Sequence, residues 1–177
     1  MKQLKILAVV LMLCSCGFQP LYVQRNNSSG WYFNDSFDTS IIDEMAQIKV
    51  AAISERFGQE LRNHLLDLLT PKGIPQKPKY RLIVEVVDKQ VIQQAMRDDV
   101  TATNERIRYK VGYKLYQNSE ELVTGDAIAF VSYDILSDPF STTMSQKKAE
   151  SDAAKIIADD IVLRLGAYFH TKTGGIK

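Results

Sequence analysis

The chain has 177 residues, with 22 basic and 21 acidic side chains and 45% hydrophobic residues. That length accommodates one domain with a proper core. A formal net charge of +1 gives no broad positive field, which argues against nucleic acid as a partner, so any electrostatic partner must be sought in where the charges sit.

The chain opens as an export signal. Lys2 and Lys5 make a short positive region, and Ile6 to Leu13 make an apolar run well short of the about 20 residues that a membrane-spanning helix needs. Leu13-Cys14-Ser15-Cys16 resembles a bacterial lipobox, with a branched apolar residue three positions before Cys16 and a small one directly before it. Cys14 does not fit, because bulky Leu13 would stand where the small residue belongs. The resemblance implies that residues 1–15 are a signal peptide and that Cys16 is the lipid-attachment site. Acyl burial contributes roughly 0.8 kcal/mol per CH2, so several chains on Cys16 would anchor the protein without a spanning helix. Gly17 in place of Asp resembles the pattern of lipoproteins sent to the outer membrane, which places the expected location there, on the periplasmic side. Cleavage would also leave Cys16 as the one remaining cysteine, with no internal disulfide. Losing Lys2 and Lys5 from the 22 basic residues leaves 20 against 21 acidic ones.

Residues 16–46 read as a lipid-anchored tether. The part from 24 to 40 is rich in Asn, Ser and Asp and buries too little apolar area to offset ordering, with Trp31, Tyr32 and Phe33 as candidate docking points. The folded domain is expected over 47–177. Ile48 to Ile53 is short, branched and apolar, as in a strand. Ser54 is a candidate N-cap for a helix whose stripe is Phe57, Leu61, Leu65, Leu68 and Leu69, ended by Thr70-Pro71-Lys72-Gly73. Gly58 inside it costs about 1 kcal/mol against Ala, which suggests the close approach of another element. Tyr80 to Val87 alternates as a strand. From Arg106 to Tyr116 the alternation is cleaner, with Ile107, Tyr109, Val111, Tyr113 and Leu115 on one face and Arg106, Arg108, Lys110 and Lys114 on the other. Gln117-Asn118-Ser119-Glu120 reads as a hairpin turn into Leu122 to Tyr133. A last helix is expected from Ser141 or Thr142 through Ala149, Ala153, Ile157, Ile161, Leu165 and Tyr168. The order β-α-β-β-β-α predicts an α+β two-layer sandwich, one four-stranded sheet with two helices on one face.

Cys16-Gly17-Phe18-Gln19-Pro20-Leu21-Tyr22 at the lipobox, Arg56 to Asn63 (RFGQELRN) in the first helix, the alternating strands and the closing Ala-rich helix together resemble the LPS-assembly lipoprotein family, LptE, in its alphaproteobacterial form. The resemblance covers essentially the whole chain after the signal. It implies a non-enzymatic lipoprotein that plugs an outer-membrane β-barrel, LptD, helps it assemble, and assists passage of lipopolysaccharide (LPS) to the outer leaflet, with LPS itself as a ligand.

The residues support a binding role independently. Nucleophilic catalysis needs an activated Ser or Cys with a His and an orienting acid, whereas His64 sits within a helix and His170 near the C-terminus. No phosphate-binding loop or zinc motif occurs, and Asp98-Asp99 is a lone acidic pair, so neither metal nor cofactor is expected. Arg106, Arg108, Lys110 and Lys114 span roughly 26 Å on one pleated face. They are candidates for phosphate recognition, with Lys89 and Arg97, expected around the preceding turn, extending the patch. The same face also reads as a solvated surface partly neutralised by Glu85 and its neighbours. A second functional reading is an accessory lipoprotein scaffolding another cell-envelope transport or assembly complex.

Overall fold

The computed structural model describes residues 39–96 and 102–174. Its elements are α1 (Thr39–Met45), β1 (Ile48–Val50), α2 (Glu55–Leu69), β2 (Tyr80–Met96), β3 (Ala102–Gln117), β4 (Glu120–Asp134) and α3 (Pro139–Gly174). The α+β sandwich and its β-α-β-β-β-α order are as expected. The added α1 falls within the segment read as tether, so ordered structure begins ahead of Gln47. Ile41 and Met45 pack against the core. Lys79 Nζ donates to Glu44 Oε1 at 2.7 Å, tying α1 to the start of β2, and that bond holds the Glu44 carboxyl below its ordinary pKa.

The sheet runs β1-β2-β3-β4. β1 pairs parallel with Tyr80–Leu82, and α2 supplies the crossover that a parallel pair requires. The two remaining pairings are antiparallel. Asn118 and Ser119 have φ of 49° and 86°, the double left-handed geometry of a two-residue hairpin turn whose twist matches the strands it joins.

Both long helices cover one face of the sheet, called inner below. α2 buries Phe57, Leu61, Leu65 and Leu69, while Leu68, expected in the stripe, faces outward. Phe57 stacks on Tyr109 of β3 with ring centroids 3.9 Å apart. α3, roughly 54 Å long at 1.5 Å per residue, buries Ala149, Ala153, Ala154, Ile157, Ala158, Ile161 and Leu165. Phe169, absent from the expected stripe, is buried edge-on against Tyr80 at 5.1 Å.

The caps differ from expectation. Ser54 has extended backbone but makes no side-chain capping bond, and the chain enters α2 through Glu55 at φ 67°. A non-glycine residue in that region is strained by about 1–3 kcal/mol. α3 begins before Ser141. Asp138 accepts from the Ser141 backbone N–H at 2.9 Å and from the Ser141 hydroxyl at 2.6 Å, and Pro139 takes the first helical position, where no N–H is needed. At the other end of α2, Thr70, buried and polar, satisfies itself by donating from both its amide and its hydroxyl to the Leu66 carbonyl.

Gly58 has the role its sequence position suggests. A Cβ there would lie 2.5 Å from Ile53 Cγ2 and 3.2 Å from the Ile53 carbonyl carbon. Gly58→Ala sets a helix-propensity gain of about 1 kcal/mol against overpacking of about 1–3 kcal/mol. The expected net result is a lower denaturant midpoint with an unchanged slope. A raised midpoint would show that Ile53 yields freely and that the glycine is not required for packing.

Candidate functional site

The candidate surface is the sheet face that the helices leave open. Alternation along β3 puts Ile107, Tyr109, Val111, Tyr113 and Leu115 in the core, so Arg106, Arg108, Lys110 and Lys114 share the outer face, as the sequence predicts. Cross-strand partners then decide their electrostatics. Arg108 Nη2 is 3.0 Å from Asp88 Oδ2, Lys110 Nζ 3.0 Å from Asp126 Oδ2, and Lys114 Nζ 3.5 Å from Glu121 Oε2. Glu85, expected to help neutralise this face, is exposed opposite Gly112, and the compensating carboxylates are those three from β2 and β4. Among the described residues, Arg106 is the one of the four without an ion-pair partner. The central strand is thus a chequerboard of paired charges with one free cation near its start.

Lys89 does not join this group. β2 carries a bulge at Val87, where the register jumps from Val86↔Val111 to Asp88↔Lys110. The unpaired residue inverts the facing of the residues that follow, as far as the next register shift at Gln93/Ala95. Asp88 is thereby brought to the outer face beside Arg108. Lys89, opposite Tyr109, turns to the inner side, where its Nζ is 2.9 Å from Glu150 of α3 and 5.4 Å from the Tyr109 ring centroid. Burial opposes the charge on Lys89, yet hydrogen bonds to Glu150 and Tyr109 outweigh it and raise its pKa. Nor does Lys89 lie at a turn, because β2 continues to Met96. Arg97, Asp98, Asp99, Cys16 and the aromatic trio Trp31, Tyr32 and Phe33 lie outside the described residues.

Apolar side chains interleave with the cations. Across the sheet the rows read Asp88-Lys110-Ile128, Gln90-Arg108-Phe130 and Ile92-Arg106-Ser132. Ile92, Ile128 and Phe130 are all exposed, Phe130 to 56%. Sequence reasoning left these three unassigned, although β4 carries a cue for two of them: Ala127, Ala129 and Val131 alternate with Ile128 and Phe130, and the alanines point inward, where α3 needs room. The outer face therefore pairs oil with positive charge, a combination suited to an amphiphile bearing anionic groups.

The two histidines lie away from this face. His64 is half-buried within α2 and His170 is exposed on α3. Among the described residues no group of three or more His, Cys, Asp or Glu is arranged to hold a metal, and no helix is long and apolar enough to cross a membrane.

The family model LptE, lipopolysaccharide-assembly, matches residues 19–165. The chain belongs to the LptE family. Among solved structures, a candidate lipoprotein from Caulobacter crescentus aligns at 23% identity with a TM-score of 0.62, covering 73% of this chain and 96% of that one. Rare lipoprotein B from Shewanella oneidensis aligns at 10% identity and 0.53, covering 72% and 98%. A minor lipoprotein from Acinetobacter baumannii aligns at 13% and 0.52, covering 69% and 92%. At these identities the structures show a shared fold. No curated protein sequence matches the chain significantly.

At the end of the β3/β4 ladder Tyr133 donates its hydroxyl to Glu105, its cross-strand partner. Burial first, then this bond and the Glu105 charge, push the Tyr133 phenol up to about 12. A raised pKa means that the neutral phenol stabilises the fold fully below its ordinary value of 10.0, and that this contribution is lost as pH rises through about 12. Burial also raises Tyr80, Tyr109 and Tyr113, so ultraviolet titration of tyrosinate should show several late-ionising tyrosines, of which Glu105→Gln moves one to lower pH. A profile that Glu105→Gln leaves unchanged would contradict the pairing.

Proposed function

We propose that this protein is the lipoprotein partner of the outer-membrane barrel LptD, plugging its lumen, helping it assemble and assisting LPS insertion into the outer leaflet. Acyl chains on Cys16 fix it to the periplasmic side of the outer membrane. The observation that carries the reading is the LptE family match across residues 19–165. Two features support it. The lipobox-like run ending at Cys16 supplies an anchor. A chain with 24% charged residues and near-zero net charge suits a polar lumen.

LPS is the proposed ligand of the outer sheet face. Arg106, Arg108, Lys110 and Lys114 would meet its phosphates while Ile92, Ile128 and Phe130 meet apolar parts. Exposed ion pairs contribute only about 0–1 kcal/mol each, so exchanging Asp88 or Asp126 for a ligand phosphate costs little. The role is one of binding and positioning, without catalysis.

The test is affinity purification of the native lipoprotein from cells, together with LPS capture by the pure protein. An LPS-export barrel should co-purify. Replacing Arg106, Arg108 and Lys110 by Ser should weaken capture about tenfold and flatten its salt dependence. Recovery with a different envelope complex would favour a scaffold role elsewhere. LPS capture unchanged in the triple variant would remove the strand face from the proposal.

A further inference from the structure

The two edges of the sheet are unlike. β1 closes one side with 3 residues, too short to template much pairing. β4 closes the other with 15, and its register with β3 is unbroken from Val123 to Asp134. Every second residue of an antiparallel edge strand points its backbone N–H and C=O away from the sheet. Among the described residues no other strand or loop backbone bonds to that open side of β4. Sheets guard such edges with Lys, Pro, a bulge or an inward-pointing charge. Glu120–Asp134 contains no Lys, Arg or Pro, and its inward positions Ala127, Ala129, Val131 and Tyr133 carry no charge. Its one register shift lies back at the hairpin end, beside Leu115 and Tyr116. The long edge is unguarded.

Charge decides what fits there. The outward side chains run Thr124, Asp126, Ile128, Phe130, Ser132 and Asp134. If a second copy of β4 lies antiparallel beside the first about a two-fold axis at Ala129, Ile128 faces Phe130 of the second copy. Asp126 then faces Ser132, and Thr124 faces Asp134, each pair occurring twice. No carboxylate meets another, and two apolar pairs sit at the centre, both favourable across neighbouring strands. Other registers do worse. An axis at Phe130 sets Asp126 against Asp134 twice, an axis at Asp126 sets that carboxylate against itself, and an axis at Ile128 sets Asp126 against Phe130. On the inner side the Ala129 axis places Gly125 opposite Tyr133 and Ala127 opposite Val131, so no two bulky side chains compete for room beside the helices. Strand β4 is complementary to itself in this one register.

We infer that, outside any larger complex, β4 pairs with β4 of a second copy of this chain about a two-fold axis at Ala129, giving one continuous sheet with the helices of both copies on the same side. The pairing satisfies the open backbone groups of both edges. It also removes the template for uncontrolled association that a bare edge presents. A single strand pair is a small interface, below the roughly 1,000 Å2 of a stable complex, so the dimer is weak and exchangeable, with a dissociation constant on the order of 10 μM. The inference stands on the strand edge alone and needs neither the barrel nor LPS.

The experiment is sedimentation equilibrium of the full chain in density-matched detergent micelles, over a concentration range that brackets that constant, and a monomer–dimer equilibrium is expected. Two double variants are made at exposed positions, Ile128→Lys with Phe130→Lys and Ile128→Glu with Phe130→Glu. Each alone sets like charges across the axis and should raise the dissociation constant at least about tenfold. An equimolar mixture of the two sets Lys against Glu at each of these positions and should restore the dimer. Ile92→Glu, on the same face but two strands from the edge, should leave it unchanged. Amide hydrogen exchange of the unmodified chain gives a readout free of substitutions, in which the open-side amides between Thr124 and Asp134 should gain protection as concentration rises. The inference is overturned by a monomer at every concentration, by dimers that both double variants leave intact, or by a mixture that does not restore pairing. It is equally overturned if protection of the β4 amides is independent of concentration, since the edge would then be covered within a single chain.

Discussion

The small side chains along one face of α3 are the constraint on which the rest of this molecule depends. Ala149, Ala153, Ala154 and Ala158 are all buried, and they meet a sheet whose β4 also presents alanines inward, at Ala127 and Ala129. Backbones can approach closely there only because neither side supplies bulk. The volume is made up elsewhere, by Phe57 stacked on Tyr109 and by Phe169 against Tyr80. Gly125 follows the same logic in the sheet, since a Cβ there would come within 2.8 Å of the Tyr113 hydroxyl oxygen. Helix burial is thus committed wholly to the inner face, and the outer face is left to charge, exposed apolar groups and partners.

A long open sheet face with cations in its central strand would repel itself without compensation, and the carboxylates come from its flanking strands. The bulge at Val87 is part of this arrangement. It turns Asp88 outward to Arg108 and, one residue later, turns Lys89 inward to Glu150, so a single extra residue serves both faces. Exposed pairs of this kind hold little free energy, which keeps the face exchangeable. The start of β3 is different: Arg106 carries charge that no carboxylate among the described residues answers. For a member of a lipopolysaccharide-assembly family, that distribution is chemically coherent.

Much of this was legible in the sequence because period carries the information. Repeats at three and four residues located α2 and most of the buried stripe of α3, and strict alternation fixed which side chains of β3 face outward. Gly58 signalled a close approach, and Ile53 provides it. What escaped depends on partners that no single segment contains. Alternation in β2 fades after Val87, so the bulge and the inward turn of Lys89 could not be read. The neutralising role of Asp88, Asp126 and Glu121 follows from strand register. Asp138 was passed over as a cap because Ser141 and Thr142 are equally good candidates by type, and only Pro139 in the first helical position discriminates. α1 is short and polar enough to have read as tether.

The central claim is that the outer sheet face works and the helical face packs. Photocrosslinking in intact cells tests it most directly, with a benzophenone amino acid placed at Ile128 or Phe130 on the sheet and at Leu163, 72% exposed on α3, followed by immunodetection of LPS adducts. The account predicts adducts from the two sheet positions and none from the helix. Adducts from Leu163 with none from Ile128 or Phe130 would contradict it.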